Sequence, residues 1–416
     1  MSFERQRVVI TGLGAVTPLG NDVPSNWAAL LAGRSGIGPI TTFDTREFPV
    51  RIAGEVRGFD PADYLEKKDI KKVDPFAQFA IAGAQQALDD AGLQIDRQRA
   101  HRVGVVVGVG MGGIGTLEAY HKQFLDSGLK RLSPFVIPRV IPNMAPGLIA
   151  IRFGCTGVNY TPTSACASGG QAVGEAFRLI SWGEQDVVIT GGSEAAVTPL
   201  GVAGFAAMRA MSTRNDEPAR ASRPFDRRRD GFVIGEGAGI LVLESLPHAS
   251  ARGARIYAEL VGYGANCDAF HITSPSPDGR GAADCMRLAL AAGGLEPSQV
   301  DYINAHGTST PYNDTNETQA IKAVFGAHAK RVAVSSTKSM TGHLFGGAGG
   351  IEAVYTALTV HHGWIPPTIN YDEPDPDCDL DYVPNVARQT PVRIALSNSF
   401  GFGGANACVA FKHWDG

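Results

Sequence analysis

The chain has 416 residues, of which 44% are hydrophobic and 19% charged, so it can bury a large core and form two lobes. Its formal net charge of −4 gives no overall electrostatic basis for nucleic-acid binding. No run reaches the roughly 18 apolar residues of a membrane span, and the six cysteines show no CxxC spacing, so we expect a cytoplasmic protein with reduced thiols and no zinc motif.

Short apolar segments bounded by glycine recur along the chain and alternate with helical patterns. The predicted strands span residues 8–10, 103–107, 187–189, 240–243, 300–303, 332–334 and 394–396. The predicted helices span residues 75–91, 171–180, 282–292, 316–325 and 351–360. Near-continuous apolar strands are typical of a sheet buried on both faces, and their alternation with helices predicts α/β layers.

A glycine-rich segment follows the strand predicted at 103–107. Gly108-Val109-Gly110-Met111-Gly112-Gly113 matches the GxGxxG pattern of dinucleotide-binding folds. The expected continuation, a short helix and a second strand ending in an acidic residue, is replaced by the proline-rich segment 133–142. The sequence therefore disfavours a nucleotide-dependent dehydrogenase.

Cys166 lies in Thr163-Ser164-Ala165-Cys166-Ala167-Ser168-Gly169-Gly170, where an extended segment gives way to a predicted helix. Unpaired amide N–H groups and the helix dipole at a helix N-terminus favour the thiolate, the nucleophilic form of cysteine. Most free cysteines are buried structural residues, but the small residues around this one leave room for a substrate. We therefore predict that Cys166 is a nucleophile.

Two histidine motifs follow predicted strands farther along the chain. His306 lies in Asn304-Ala305-His306-Gly307-Thr308-Ser309-Thr310, and His343 ends Ser335-Ser336-Thr337-Lys338-Ser339-Met340-Thr341-Gly342-His343. A single histidine of this kind is more often a hydrogen-bonded structural residue, whereas loops at strand ends commonly carry chemistry. Three such motifs in similar settings favour a common site.

The spacing Cys166-x-x-Gly169-Gly170 recurs as His343-x-x-Gly346-Gly347, and each precedes a predicted helix. This echo fits a chain built from two similar halves. With a seam near residues 247–253, we predict an N-terminal half over residues 1–250 that carries the cysteine. The C-terminal half, residues 251–416, would carry both histidines.

Together these motifs resemble the β-ketoacyl-acyl-carrier-protein synthases. The resemblance rests on Cys166 in TSACASGG, His306 in AHGTST, Lys338 and His343 in SSTKSMTGH, and the segment NSFGFGGAN at 398–406. It covers essentially the whole chain and is closest to type II, the elongating condensing enzymes of bacterial fatty acid synthesis. It implies an α/β, thiolase-like αβαβα five-layer sandwich of two pseudo-duplicated βαβαβαββ halves, an obligate homodimer and acyltransferase activity.

The resemblance also assigns the chemistry. An acyl group would move from acyl carrier protein to Cys166, and malonyl carrier protein would then lose carbon dioxide. Neutral His306 and His343 would stabilise the resulting enolate through ring N–H groups, and the backbone N–H groups of Cys166 and Phe402 would form the oxyanion hole. Lys338, paired with Glu352, would act electrostatically. No cofactor is expected, because phosphopantetheine arrives on the carrier protein.

Further positions take roles from the same resemblance. Thr308 and Thr310 would hydrogen-bond the phosphopantetheine amides, and Phe402 would gate the pocket. Met111 would line the end of the acyl pocket, and Phe135 and Val136 would reach the neighbouring subunit's pocket. Basic positions that match a docking surface for acidic carrier protein are Lys68, Lys71, Lys72, Lys130, Arg131 and Arg209, although such a charge run is usually only a solvated face.

Asn304, Glu352, Ser397 and Asn398 match positions that surround a monovalent cation in some relatives. A hydrogen-bond network would explain the same residue types equally well, so both interpretations stay open.

Three alternatives share parts of the pattern. A ketosynthase α subunit of a type II polyketide synthase would use the same chemistry but need a chain-length-factor partner. A chain-length factor itself is a non-catalytic subunit, against which Cys166 argues. A degradative thiolase would use a second cysteine as its base, but Cys408 lacks the expected Cys-x-Gly context. Acyl chain length, unsaturation preference and pathway are left open by the sequence.

Overall fold

A ten-stranded sheet forms the centre of the protein, which a computed structural model describes over residues 5–416. The strands in chain order are β1 Val8–Val16, β2 Gly38–Pro39, β3 Ile52–Ala53, β4 Val103–Gly108, β5 Asn159–Tyr160, β6 Val187–Glu194, β7 Gly237–Ser245, β8 Ala258–Cys267, β9 Tyr302–Asn304, β10 Ala333–Ser335, β11 Trp364–Ile365, β12 Arg388–Gln389, β13 Ile394–Gly401 and β14 Ala405–His413. The helices are α1 Val23–Leu31, α2 Lys67–Ile70, α3 Pro75–Ala91, α4 Ile114–Ser127, α5 Val136–Val140, α6 Met144–Phe153, α7 Ser168–Ser181, α8 Pro199–Ala207, α9 Leu246–Ala251, α10 Arg280–Gly293, α11 Pro311–Phe325, α12 Lys338–Thr341 and α13 Ala348–His362.

The strand order repeats one topology twice. Read outward from the centre, one half of the sheet runs β1-β7-β6-β4-β5 and the other runs β8-β14-β13-β9-β10. In each half these are the first, fifth, fourth, second and third strands in chain order, and antiparallel β1 and β8 join the halves. The fold is therefore thiolase-like, as predicted. The division at residue 250 stays a prediction; β7 ends at Ser245 and β8 begins at Ala258.

Three apolar clusters separate the layers. Helices α7 and α13 pack against each other between the two halves of the sheet, α3 and α6 cover the outer face of the first half, and α10 and α11 cover that of the second. Alternate residues of β7 serve different clusters: Leu241 and Leu243 face the central helices, whereas Ile240 and Val242 face α3. Burial on both faces explains why the strands read as continuous apolar runs.

Glycines allow the two central helices to approach closely. A Cβ at Gly169 would lie 2.6 Å from the Gly350 nitrogen, and one at Gly349 would lie 2.2 Å from the Gly170 nitrogen. A side chain at either position would force the helices apart. Because α7 follows Cys166 and α13 follows His343, this packing brings the two residues together.

No helix within residues 5–416 is both long enough and apolar enough to cross a bilayer.

Candidate active site

A cavity of about 350 Å³ brings together most of the residues predicted to be functional. Its lining includes Cys166, Arg209, His306, Thr308, Thr310, His343, Phe400 and Phe402. The cysteine follows β5, the histidines follow β9 and β10, and Phe402 follows β13. Residues far apart in sequence therefore meet because the strands that precede them end at the same cavity.

Cys166 lies in this cavity as a buried thiol, two residues before α7 begins. Burial raises the pKa of the thiol to about 12; the Lys338 charge and the backbone N–H groups of Phe402 and Cys166 lower it, and Glu194 raises it. Desolvation therefore opposes the thiolate that the helix N-terminus was predicted to favour. The preceding Ala165 has φ +50°, a left-handed conformation that costs energy for a non-glycine residue and is retained beside the sulfur.

The rings of His306 and His343 pack edge to face, at an interplanar angle of 83° and with centroids 5.3 Å apart. The Glu317 carboxylate accepts the N–H groups of His306 at 2.9 Å and Gly307 at 2.8 Å. The backbone N–H of His343 donates to the Val233 carbonyl at 2.7 Å. Both histidines are therefore fixed through their backbones.

Both histidines are neutral at neutral pH. Burial lowers the pKa of each ring well below its ordinary value, and the Lys338 charge lowers both further. A neutral imidazole offers one N–H donor and one acceptor nitrogen. In the part of the chain that the structure describes, Nδ1 of each ring is buried without a hydrogen-bond partner. The pair can thus supply N–H donors to an oxygen that gains charge.

Lys338 and Glu352 form a buried ion pair behind the cavity. Lys338 Nζ donates to Glu352 Oε1, and each side chain is 2% exposed. Burial raises the pKa of the Glu352 carboxyl, which the Lys338 ammonium opposes. Lys338 does not line the cavity, so it acts there through its charge on Cys166 and both histidines.

Thr308 and Thr310 line the cavity with their hydroxyls 2.9 Å apart. Between them, Ser309 has φ +68°, and the backbone N–H groups of Arg223 and Gly231 donate to its hydroxyl and carbonyl. These contacts hold the strained turn that aims both hydroxyls into the cavity.

Of the three residues predicted to line an acyl pocket, Met111 lies near Cys166, whereas Phe135 and Val136 lie outside the cavity. Met111 packs against the apolar cluster that includes Cys166 and Val197. Phe135 is 38% exposed, and neither it nor Val136 lines this cavity. One copy of the chain therefore brings Met111, but not Phe135 or Val136, toward the cysteine.

The predicted docking residues lie outside the core. Lys68 pairs with Glu66 and Lys72 with Asp69, each at 2.7 Å, and the Lys72 ammonium lies 5.6 Å from the Phe135 ring centroid. The remaining four, all exposed, are Lys71, Lys130, Arg131 and Arg209. Arg209 is at the cavity lining, so the structure connects only this basic residue directly to the site.

The predicted cation ligands come together on β9, β13 and α13. Asn304 and Ser397 are register partners in adjacent strands, and Asn398 follows. Asn304 Oδ1, Asn398 Oδ1 and Glu352 Oε2 are buried without hydrogen-bond partners within residues 5–416. Unpaired buried oxygens are costly, and hard cations bind oxygen ligands, so this set fits a monovalent cation. No group of three or more His, Cys, Asp or Glu side chains arranged for a metal occurs among the described residues.

Sequence reasoning missed three residues of the site. Glu317 holds the His306 turn, Glu194 holds the Gly110–Gly112 turn, and the Phe400 ring lies 5.6 Å from the His306 ring. Glu194 ends the otherwise uncharged strand VVITGGSE. A carboxylate at the end of a buried strand was the available signal.

Buried Cys166 and two neutral histidines, in one cavity of a thiolase-like fold, define an acyl-transferring condensing enzyme. The chain belongs to the β-ketoacyl synthase family. Residues 5–249 match the family described as "Beta-ketoacyl synthase, N-terminal domain", and residues 257–372 match "Beta-ketoacyl synthase, C-terminal domain".

Full-length relatives carry the name 3-oxoacyl-(acyl-carrier-protein) synthase 2. The Synechocystis protein is 55% identical and the Coxiella burnetii protein 53% identical, with 99% of each chain covered in both cases. Among solved structures, a β-ketoacyl synthase from Burkholderia phymatum has a TM-score of 0.91 and 38% identity, covering 98% of this chain and all of that one. A type II polyketide ketosynthase in complex with its acyl carrier protein has a TM-score of 0.90 and 36% identity, covering 99% of this chain and all of that one.

Proposed function

We propose that this protein is a type II β-ketoacyl-acyl-carrier-protein synthase that elongates fatty acyl chains by two carbons. The observation that carries this proposal is the shared cavity of Cys166, His306 and His343. Full-length relatives at 53–55% identity, named as type 2 synthases, favour fatty acid elongation over the polyketide alternative, whose solved relative is 36% identical.

The first half-reaction transfers the acyl group. Cys166 Sγ attacks the acyl thioester of the carrier protein, and the backbone N–H groups of Cys166 and Phe402 stabilise the oxyanion. The carbon–sulfur bond to pantetheine breaks, and the proton lost by the Cys166 thiol ends on the departing pantetheine thiol. Burial raises the pKa of the Cys166 thiol, which favours loss of this proton as the sulfur attacks.

The second half-reaction forms the carbon–carbon bond. The malonyl carboxylate leaves as carbon dioxide, and its bonding electrons form an enolate that the N–H groups of His306 and His343 stabilise. The enolate carbon attacks the Cys166 thioester, the β-ketoacyl product leaves on the carrier protein, and the cysteine sulfur takes up one proton. Neutral rings suit this step, since two charged rings would overstabilise the enolate.

The other residues around the cavity bind and orient the substrate. Thr308 and Thr310 hydrogen-bond the phosphopantetheine, Phe402 gates its access, and the Lys338 charge adds to burial in favouring neutral rings. The paired hydroxyls, the cavity lining and the buried ammonium support these roles. No cofactor of its own is needed for either half-reaction.

The test is a reaction of the purified protein alone with acyl and malonyl carrier proteins, followed by mass spectrometry of the products. A β-ketoacyl chain two carbons longer supports the proposal. Product that forms only after a chain-length-factor subunit is added would instead favour the polyketide ketosynthase.

We place the protein in the cytoplasm as a homodimer. Its six cysteines are all free, as expected in a reducing compartment. Strand β5 leaves one sheet edge open, and the large apolar side chains exposed on a single copy include Leu117, Phe124, Leu125, Leu129, Phe135, Ile137, Ile141 and Ile151. An open edge with exposed apolar side chains favours association. In the dimer each copy would supply Phe135 and Val136 to the acyl pocket of the other.

We also propose that the exposed basic residues dock the acidic carrier protein. Lys71→Glu and Lys130→Glu together should raise the KM for malonyl carrier protein by roughly 10-fold at low salt while kcat changes little, because charge complementarity acts on encounter. The matched control, Lys412→Glu, reverses an exposed lysine on β14 and should leave KM unchanged. Equal KM values for both variants, measured as dimers by sedimentation, would exclude this docking surface.

The unpaired oxygens of Asn304, Asn398 and Glu352 support a bound monovalent cation that neutralises this buried carboxylate region. A cation that binds only the folded chain stabilises it; at about five times its Kd the gain is ~1 kcal/mol. We expect a higher Tm in potassium or sodium chloride than in choline chloride of equal ionic strength. An Asn304→Leu variant should lose the difference, and identical Tm values for the wild type in all three salts would contradict the site.

A further inference from the structure

Glu194 is a buried carboxylate at the end of β6 that the mechanism does not use. Its Oε2 accepts the backbone N–H groups of Gly110 at 2.8 Å and Gly346 at 3.1 Å. Its Oε1 accepts those of Met111 at 3.1 Å and Gly112 at 3.2 Å. Four main-chain donors from two separate loops therefore converge on one side chain with no exposed surface.

The glycines of these loops make the convergence sterically feasible. A Cβ at Gly110 would lie 2.6 Å from Glu194 Oε2, and one at Gly346 would lie 2.1 Å from the Gly110 nitrogen. Gly112 has φ +73°, in the left-handed region. Convergent backbone N–H groups form anion-binding concavities in many proteins. Here the protein's own carboxylate fills the concavity, which gives the GxGxxG-like segment a role without a nucleotide.

The hydrogen bonds to Glu194 connect the loop that carries Met111 with the loop that follows His343. Met111 packs against the apolar cluster around Cys166, while Gly346 lies three residues after His343. Strand β6, which carries Glu194, pairs with β4 on one side and β7 on the other, so the carboxylate has a rigid base. Its charge also acts on the Cys166 sulfur. One side chain thus fixes the Gly110–Gly112 turn relative to the loop that follows His343.

We propose that Glu194 is a positioning residue that sets acyl chain-length selectivity by holding the Gly110–Gly112 turn, and with it Met111, against the loop of His343. This inference rests on the proposed condensing activity and deepens it. The turn donates three backbone N–H groups to one buried carboxylate, so its backbone is fixed, and Met111, which the family resemblance assigns to the end of the acyl pocket, would be a defined stop for long acyl chains. Without the hydrogen bonds to Glu194 the turn can move. The flexible thioether side chain of Met111 can then shift and admit longer acyl chains.

The test is Glu194→Gln, which keeps the size of the side chain but replaces one acceptor oxygen with an NH₂ group that faces amide donors. We expect the ratio of kcat/KM between long and short acyl chains, measured over a panel from 6 to 18 carbons, to shift by about 10-fold or more toward long chains. The matched control is Glu55→Gln, since Glu55 is equally buried and accepts the backbone N–H groups of Thr41 and Thr42 away from the cavity. The Glu55→Gln ratio should equal that of the wild type.

A double-mutant cycle separates positioning from general loss of structure. Met111→Ala should shift the chain-length ratio strongly in the wild type but weakly in Glu194→Gln, because both changes act on the same turn. Should Glu194→Gln fail to fold, Glu194→Asp, whose shorter carboxylate cannot reach both loops, replaces it in the cycle. A wild-type chain-length ratio in the folded Glu194 variant, or strictly additive effects with Met111→Ala, would overturn the inference. No product from the wild type with any chain would instead refute the proposed function.

Discussion

Cys166→Ala should abolish acyl transfer, with condensation falling by about 10³-fold or more because no covalent acyl intermediate can form. The histidine pair remains in this variant, so malonyl carrier protein should still lose carbon dioxide slowly without yielding a β-ketoacyl product. Intact-protein mass spectrometry after incubation with acyl carrier protein checks the first point, and carbon dioxide release checks the second.

Cys155→Ala is the matched control for that experiment. Cys155 has the same exposure as Cys166, 8%, and burial likewise raises the pKa of its thiol to about 12. It lies outside the cavity, so its removal should leave acylation and condensation intact. Full activity in Cys166→Ala would exclude Cys166 as the nucleophile.

The histidine variants should separate the two half-reactions. His306→Ala and His343→Ala should each lower the condensation rate by roughly 10²- to 10³-fold, since each removes one donor to the developing enolate oxygen. Acylation of Cys166 should persist, so the acyl-enzyme should accumulate during a malonyl carrier-protein chase. Quenched-flow mass spectrometry of the protein measures both quantities.

Because the pKa of both histidine rings is lowered, we also predict how the condensation rate depends on pH. Burial lowers the pKa of both rings well below the ordinary imidazole value, so the rings should stay neutral near neutral pH and the chemical step should not follow a histidine titration from pH 6 to pH 8. His362→Ala, at the end of α13 and outside the cavity, should behave as the wild type. Loss of acylation in the His306 or His343 variants would contradict the proposal that these histidines act in condensation and not in acylation of Cys166.

The main elements of the fold could be predicted from local sequence patterns. The helix predicted over 75–91 has those bounds, with Asp74 capping its N-terminus, and the strand predicted at 103–107 extends by one residue. Strands β8 and β14 were not predicted. In β14, Asn406 and Lys412 interrupt the apolar pattern. Their strand identity comes from pairing: β14 pairs with β8 and β13, and β8 also pairs with β1, which single segments do not encode.

The sequence predicted those site residues whose place follows from a motif at the end of a strand. Strand ends placed Cys166, His306 and His343 at one edge, and the structure brings all three into one cavity. The ionisation of Cys166 was not predictable, because it depends on how much water the folded chain removes from the sulfur. Glu194 accepts backbone N–H groups that lie 84 and 152 residues away, and Glu317 accepts those of the preceding His306 turn, so their roles appear only in three dimensions.

The most direct test of the central claim is the intact mass of the wild-type protein during one catalytic cycle. The purified chain is mixed with a panel of acyl carrier proteins and then chased with malonyl carrier protein. The account predicts that Cys166 gains the acyl mass and that the chase removes it while a β-ketoacyl chain two carbons longer appears. A Cys166 that stays unmodified with every acyl chain would contradict it.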